Sequence, residues 1–576
     1  MLLVCFNWIY ILLTTICLGS SFAVIIQKIF HYRIKRADSI IAMGIVIAAV
    51  YSQFFSIFYK VGMVANIIMG IICVISVVVN KKEIIILSKK ICDKFSVPKA
   101  IIVVMLFVIW AYFTSRGIIH YDTDLYHAQS IRWIEEYGVV PGLGNLHVRF
   151  AYNSSIFALT ALYSMKFLLG SSLHTLCGFF AFILSITILD ISKSFIDKRF
   201  RLSDFARIGA AYYLTLICDE VVSPASDYAT MCAVFYLMIK WLTQLESTPE
   251  EDENNVTPYA LICIGGVFAV SLKLTSGLIL LLVIKPAYEL IKNKNWRDIF
   301  IYIFMGGMVI APWLIRTVII SGYLLYPFPT LDIFSVDWKI PLDKAISDSA
   351  EIKTWGRAIY DASKVDMPIT KWFPNWFNTT LSATEKIIIL SDIIGIIIVA
   401  ISSAVALISR KKEEFDKLLV MATIMLSYLF WLVSAPLLRY GYAYALLMLM
   451  IPAGYVYDKI FSHYSFISLD AYASKNYKIK SLKVMLYGIY YFIILFGIVK
   501  LIPLGKYAVS VGIQPYYYTQ KDYGVYQTDS CEIDGQTFYY PKESDRIGYE
   551  PFPSSVGVPD IVLRGNDIKS GFQYKQ

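Results

Sequence analysis

The sequence predicts an all-α polytopic membrane protein, and three observations carry that prediction. Of 576 residues, 57% are hydrophobic and 16% charged, where soluble globular chains carry roughly 25% charge. Mean hydropathy is +0.60. Apolar runs long enough to cross roughly 30 Å of hydrocarbon as helices recur along the chain. A water-soluble domain of this size is excluded, as are disorder, a collagen-like fibre and a coiled coil. Strand-length alternation does not dominate, which argues against an outer-membrane barrel.

The runs predict about fourteen spans, at 6–29, 39–58, 61–79, 100–116, 172–194, 205–222, 226–244, 257–272, 274–291, 298–320, 387–409, 416–434, 438–460 and 481–503. Basic clusters at 28–36, 81–99, 193–207, 285–297, 410–417 and 459–483, with Lys240, hold 29 of the 52 Lys and Arg residues. Placing all of them in the cytoplasm satisfies the positive-inside rule. The net charge of +9 therefore does not point to nucleic acid. This layout requires 154–169 not to cross, so it is expected to lie on, or dip into, the outer face. The segments 117–153, 321–386 and 504–576 then face outward, with both termini outside. The chain thereby divides into accessory helices in 1–99, a transmembrane module in 100–503, and an extracytoplasmic cap in 504–576. The cap is rich in Tyr, Gly and Pro, a turn chemistry that suggests short strands. The residues 244–255 read as an acidic cytoplasmic linker.

The first 23 residues lack a basic leading region and read as a retained helix rather than a cleaved signal. Of nine cysteines, eight lie in or beside apolar runs, so no disulfide framework is implied. No CxxC or His/Cys cluster suggests a structural metal.

Chemistry concentrates in RGIIHYDTDLYHAQSIRWIEEYGVVPGLGNLHVRFAYNSS, residues 116–155. Asp122 precedes a helical pattern that Gly138 and Pro141 terminate. On a regular helix Tyr126, Gln129 and Trp133 share its face, while Asp124 points the other way. Asp122 reads either as a general base at the membrane surface or as a helix N-cap. His120, Asp122, Asp124 and His127 could hold a divalent cation, although their spacing is not zinc-like. His147 and Arg149 read as further ligand contacts or as hydrogen-bonded anchors. Arg132 pairs with Glu135 or Glu136 along the helix.

Charges retained within apolar runs usually serve a function. Lys273 falls at the outer turn between two short helices, Arg316 near the outer end of its span, and Arg439 at the outer mouth of another. Three cations at one level suit an anionic lipid phosphate; the alternative is snorkelling to headgroups. WFPNWF at 372–377 reads as an interfacial aromatic belt or as a lid.

The Asp122-Thr-Asp-Leu-Tyr126 segment resembles the first outer loop of GT-C superfamily glycosyltransferases, in which an Asp opens a D-[ED]-x-x-Y pattern. The aminoarabinose transferase and protein O-mannosyltransferase groups are examples. NSSIFALTALYSMKFLLG resembles the stretch that follows this loop, with Asn153-Ser154 where prolines are common. The Lys273 segment resembles a G-x-x-x-L-x-K-x-T hairpin. APWLIRTVIISGYLLYPF resembles a P-W-x-x-R-N signature, with Thr317 replacing Asn. The set is also similar to a bacterial multi-pass family with a YHxQxIRWxxEYGxVPGLxNLHxR loop.

The resemblance implies a GT-C fold in the bacterial cytoplasmic membrane and a polyprenyl-phosphate-linked sugar donor. It implies inverting transfer to a glycan, lipid or protein acceptor on the outer face. Asp122 would be the base, with Asp124 as the alternate. Lys273, Arg316 and Arg439 would bind the donor phosphate, and Tyr126, His127, Gln129, His147 and Arg149 the substrates. Metal use varies among such enzymes. Alternatives are a Wzy-like glycan polymerase or ligase, disfavoured because 321–386 holds a single Arg, Arg357, and a lipid-linked glycan flippase. A receptor or scaffold forms a third class.

Overall fold

In hydrocarbon every backbone N–H and C=O must be paired within its own segment, so long apolar runs close into helices. A computed structural model of the chain describes residues 1–92, 96–197, 199–247, 256–461 and, apart from 503, 511, 513 and 515, 502–575. The helices that frame the fold are α1 (Leu2–Phe30), α2 (Ala37–Phe58), α3 (Met63–Val79), α4 (Lys81–Cys92), α5 (Val97–Thr114), α6 (Ala128–Glu136), α7 (Ser155–Tyr163), α8 (Leu176–Ile188), α9 (Leu202–Ile217), α10 (Ser226–Leu245) and α11 (Thr257–Leu272). They continue with α12 (Ile284–Lys292), α13 (Trp296–Ser321), α14 (Leu342–Gly356), α15 (Ile369–Thr379), α16 (Ala383–Ser409), α17 (Lys412–Ser434) and α18 (Leu438–Phe461).

Among the described residues, eight helical segments are long and apolar enough to cross a membrane, or nine if α3 and α4, bent by 85°, form one broken span. The chain is thus a helical membrane protein. Thirteen of the fourteen expected spans coincide with helices; 481–503, but for Ile502, lies outside the described residues. The counts differ for physical reasons. α9 and α11 have 16 residues each, short of the roughly 20 a span needs. α10 and α18 are long enough but carry tyrosines and charges along their length. The expected acidic linker lies, from 248 onward, outside the described residues.

Two ends of the bundle differ sharply. One end carries Arg36 with Asp38 and Asp190, Lys240 with Asp38, Lys285 with Asp416, and Lys417 with Asp458. These are the basic clusters of the sequence. The C-terminus of α2 lies at the opposite end, where Val139 N–H donates to Ser56 O (2.8 Å) and Val61 N–H to Ile134 O (3.0 Å). The 117–153 loop is therefore held at that end.

Within 154–169, α7 does not lie flat on a surface: all nine of its residues are buried, whereas Phe167 and Leu168 beyond it are exposed, and at 1.5 Å per residue the helix is too short to cross, in keeping with a segment that does not span. Ser154 Oγ donates to Leu272 O at 2.7 Å, and Asn153 Nδ2 donates to Trp313 O at 2.9 Å. These polar residues, standing where prolines were expected, tie α7 to α11 and α13.

The tail forms a hairpin, β1 (Thr528–Ile533) with β2 (Gln536–Pro541), and a second antiparallel pair, β3 (Ile561–Leu563) with β4 (Phe572–Tyr574). The N-terminal ammonium donates to Tyr516 O (2.8 Å) and Thr519 O (2.6 Å). The N-terminus and the tail therefore share one face. WFPNWF is not a surface belt. Trp372 and Trp376 are buried, and Trp376 Nε1 donates to Pro436 O at 2.9 Å, fixing α15 to the α17–α18 junction.

α1 and α2 cross at two glycines. A Cβ on Gly44 would stand 1.9 Å from Thr15 O, and one on Gly19 2.0 Å from Ile40 O. Gly44→Val must push the helices apart, an overpacking that costs about 1–3 kcal/mol. We expect its melting temperature in detergent to fall relative to wild type, while Gly70→Val, where a Cβ meets nothing within 4 Å, leaves it in place.

Candidate functional site

Five of the expected residues, Asp122, Lys273, Arg439, Arg149 and His120, meet at the end opposite the basic face. The residues 123–127 form a π turn ahead of α6, which adds a residue to that turn and rotates the later side chains around the helix axis. Asp122 sits at its N-cap position but makes no side-chain cap. Instead Arg439 Nη2 donates to Asp122 Oδ2 at 2.5 Å. The capping reading of Asp122 is thereby replaced by an ion pair.

Arg439, at the start of α18, also places Nε 3.4 Å from Asp227 Oδ2, and its Nη2 reaches Tyr440 Oη at 3.1 Å. Asp227, in the first turn of α10, accepts a hydrogen bond from Lys273 Nζ. Lys273 has extended backbone (φ −159°, ψ 130°) where α11 breaks. That break puts the ammonium at the hairpin tip, 3.3 Å from the Tyr440 ring centroid, a cation–π contact. Arg149 Nη1 lies 4.0 Å from Asp122 Oδ1.

The cluster thus holds three permanent cations and two carboxylates. Asp122, Lys273, Arg439 and Arg149 are 15–28% exposed, enough for a ligand to reach them. His120 completes the ring. Its Nδ1 accepts the Asp122 N–H at 3.1 Å, and its Nε2 abuts Arg439 Nη1. Burial, then the Arg439 charge, lower the His120 pKa, so the ring is neutral near pH 7. The ring thus bridges the Asp122 backbone and the Arg439 guanidinium.

Other candidates lie elsewhere. Asp124 points to the tail: its Oδ2 accepts from Tyr526 Oη (2.7 Å), and its carbonyl accepts from Ile547 and Gly548 N–H (2.8 and 2.7 Å). Gln129 Nε2 donates to Tyr549 O (3.1 Å) and Pro551 O (2.9 Å), so it anchors the tail rather than sharing a face with Asp122. Trp133 likewise packs against Phe552 and Phe572. Arg132 pairs with Glu550 at 2.5 Å, not with Glu135 or Glu136. Arg316 does not join the cluster; it is buried between Asn153 Oδ1 (2.9 Å) and Ser56 Oγ. Arg357 donates to the carbonyls of Val365 and Val433.

Tyr126 is buried beside the cluster, its hydroxyl pKa raised first by burial and then by the Asp122 charge. His127 is buried against Phe157 with Nδ1 3.3 Å from Thr123 Oγ1, and burial holds it neutral. His147 is enclosed with Nε2 unpartnered among the described residues, and burial lowers its pKa to about 3. The expected cation ligands are thus scattered: among the described residues no three His, Cys, Asp or Glu side chains group to hold a metal.

Asp227 and Tyr440 are functional candidates that the sequence reading missed. The signal is present in the sequence: Asp227 is the only acid in α10 and opens a helix whose one other charge is Lys240.

With this geometry in hand, residues 1–446 match the family described as "Domain of unknown function (DUF8201)". The chain belongs to this family. None of the curated proteins and none of the solved structures matches it. The matched stretch contains every member of the cluster, from His120 to Tyr440, and excludes the tail.

The tail closes over the loop through a buried chain. Tyr523 Oη meets His174 Nδ1, His174 Nε2 lies 2.8 Å from Ser172 Oγ, and Ser172 Oγ donates to Glu135 Oε1 at 2.6 Å. Tyr549 Oη donates to Glu135 Oε2 at 2.5 Å. Burial lowers the His174 pKa to about 3. Between the ordinary value of 6.5 and about 3, the released state binds more protons than the docked one, so docking is full above pH 6.5 and weakens as pH falls. We expect the protection factors at 521–526, with exchange referred to the intrinsic rate at each pH, to fall between pH 7 and pH 5. His174→Asn should flatten that dependence; an equally steep one in the variant would remove His174 as its source.

Proposed function

We propose that this protein is an integral-membrane glycosyltransferase of the GT-C type, acting in bacterial cell-surface glycan assembly at the outer face of the cytoplasmic membrane. It moves a sugar from a polyprenyl-phosphate-linked donor to a hydroxyl acceptor with inversion. The observation that carries this reading is the Asp122–Arg439 pair, flanked by Lys273 and Arg149, at the bundle end remote from the basic clusters. By the positive-inside rule that end faces outward.

In this reading the donor phosphate takes the guanidinium edge of Arg439 and the Lys273 ammonium, a pairing suited to phosphate oxygens. Arg439 then relaxes its hold on Asp122. The freed carboxylate accepts the proton of the acceptor hydroxyl as its oxygen bonds to the anomeric carbon from the face opposite the phosphate. The bond between that carbon and the phosphate oxygen breaks, and its electron pair leaves on the phosphate, whose growing charge Arg439 and Lys273 stabilise. Asp227 keeps both cations in place throughout. His120, neutral, fixes the Asp122 backbone. The fourteen-span layout belongs to the same reading, with 481–503 as the final crossing.

The test is Asp122→Asn. Asp227 still partners Arg439, so the variant should reach wild-type membrane levels. Loss of a general base typically costs 10²–10⁴-fold in rate. Mass profiles of surface glycans from cells carrying the variant should therefore match those from cells without the gene. A wild-type profile would overturn Asp122 as the base.

A further inference from the structure

The opposite end of the bundle holds a second feature that the Asp122 cluster does not use. A cavity of about 1850 Å³ opens among α2, α10, α11 and α13. Its walls are apolar: Ile45, Phe180, Leu237, Phe268 and Met308 contribute. Along α2 the lining runs from Ser39 to Val50, about 17 Å at 1.5 Å per residue. That depth is close to one leaflet of a roughly 30 Å hydrocarbon core.

The lining at the basic end is charged. Arg33 and Arg36 come from the α1–α2 connection, Arg199 and Arg201 from the segment before α9, Lys240 from α10 and Lys412 from α17. Among the described residues, nine Lys and Arg against six Asp and Glu line the cavity; Asp38 and Asp190 behind the lining pair with Arg36 and Lys240, so the remaining positive excess is small and rests on Arg33 and Arg199. Arg33 and Arg199 are exposed at this end, and no ion pair of either occurs among the described residues.

A soluble anion has no use for a leaflet-deep apolar wall, and a neutral lipid has none for the cationic end. We propose that this cavity is a binding site for an anionic phospholipid, with its phosphate among the Arg33–Arg36 and Arg199–Arg201 cations and an acyl chain along α2 and α10. Basic pockets between transmembrane helices at the cytoplasmic side recognise headgroups in this way. The site is remote from the Asp122 cluster, so the proposal does not depend on the glycosyltransferase reading.

The full-length protein in detergent, titrated with phosphatidylglycerol or phosphatidylcholine and read by native mass spectrometry, tests it. Wild type should retain one phosphatidylglycerol in preference to phosphatidylcholine at matched concentration. Neutralising the cationic end (Arg33→Gln with Arg199→Gln) should lower that occupancy about tenfold. Ala42→Phe with Ala233→Phe, two lining positions, narrows the path of the acyl chain without changing charge and should lower retention as well. Equal retention of both lipids, or full retention in both variants, would overturn the proposal. So would a polyprenyl phosphate that competes phosphatidylglycerol away, because the cavity would then serve the lipid carrier.

Discussion

The structure of this protein turns on one guanidinium held between two carboxylates. Arg439 reaches Asp122 on the first loop and Asp227 on α10, and Lys273 joins from the α11 break. Four stretches far apart in sequence are thereby pinned at one point. Charges half removed from water are costly unless paired and hydrogen-bonded, so each element's position depends on the others. The pairing is uneven: Nη2 donates to Asp122, whereas Nε, buried 3.4 Å from Asp227 Oδ2, makes no hydrogen bond among the described residues.

Around this point the chain spends much of its polar chemistry on support. Asp124, Gln129, Arg132 and Glu135 all hold the tail rather than a substrate. Asn153 and Ser154 tie the buried helix α7 to its neighbours, and Arg316 is enclosed with Asn153. The loop that carries Asp122 is consequently clamped from the tail side and from the membrane side. Holding one carboxylate in a fixed place needs such a shell.

Much of this was legible in the sequence. Apolar runs located the helices, because hydrocarbon leaves the backbone no alternative. The distribution of Lys and Arg foretold a bundle with one basic end, and Lys273 and Arg439 do meet the 117–153 loop. Other features were hidden because they depend on tertiary contacts. A π turn at 123–127 has no periodic signature, and it separated Gln129 and Trp133 from Asp122. Whether a Trp faces lipid or core cannot be told from WFPNWF alone. Asp227 was readable, but only if acids at span ends are weighed like cations. Arg316 looked like its two counterparts in sequence, yet its helix turns it toward Asn153 and Ser56.

In the proposed mechanism Arg439 exchanges a carboxylate for a phosphate. Binding of a polyprenyl phosphate to wild type, Arg439→Gln and Asp122→Asn, measured by native mass spectrometry on the purified full-length protein, tests that exchange. Arg439→Gln should bind about tenfold more weakly or worse, the worth of one charge-assisted hydrogen bond. Asp122→Asn should bind at least as tightly as wild type, because the competing carboxylate charge is gone. Equal binding by wild type and Arg439→Gln, or weaker binding by Asp122→Asn, would contradict it.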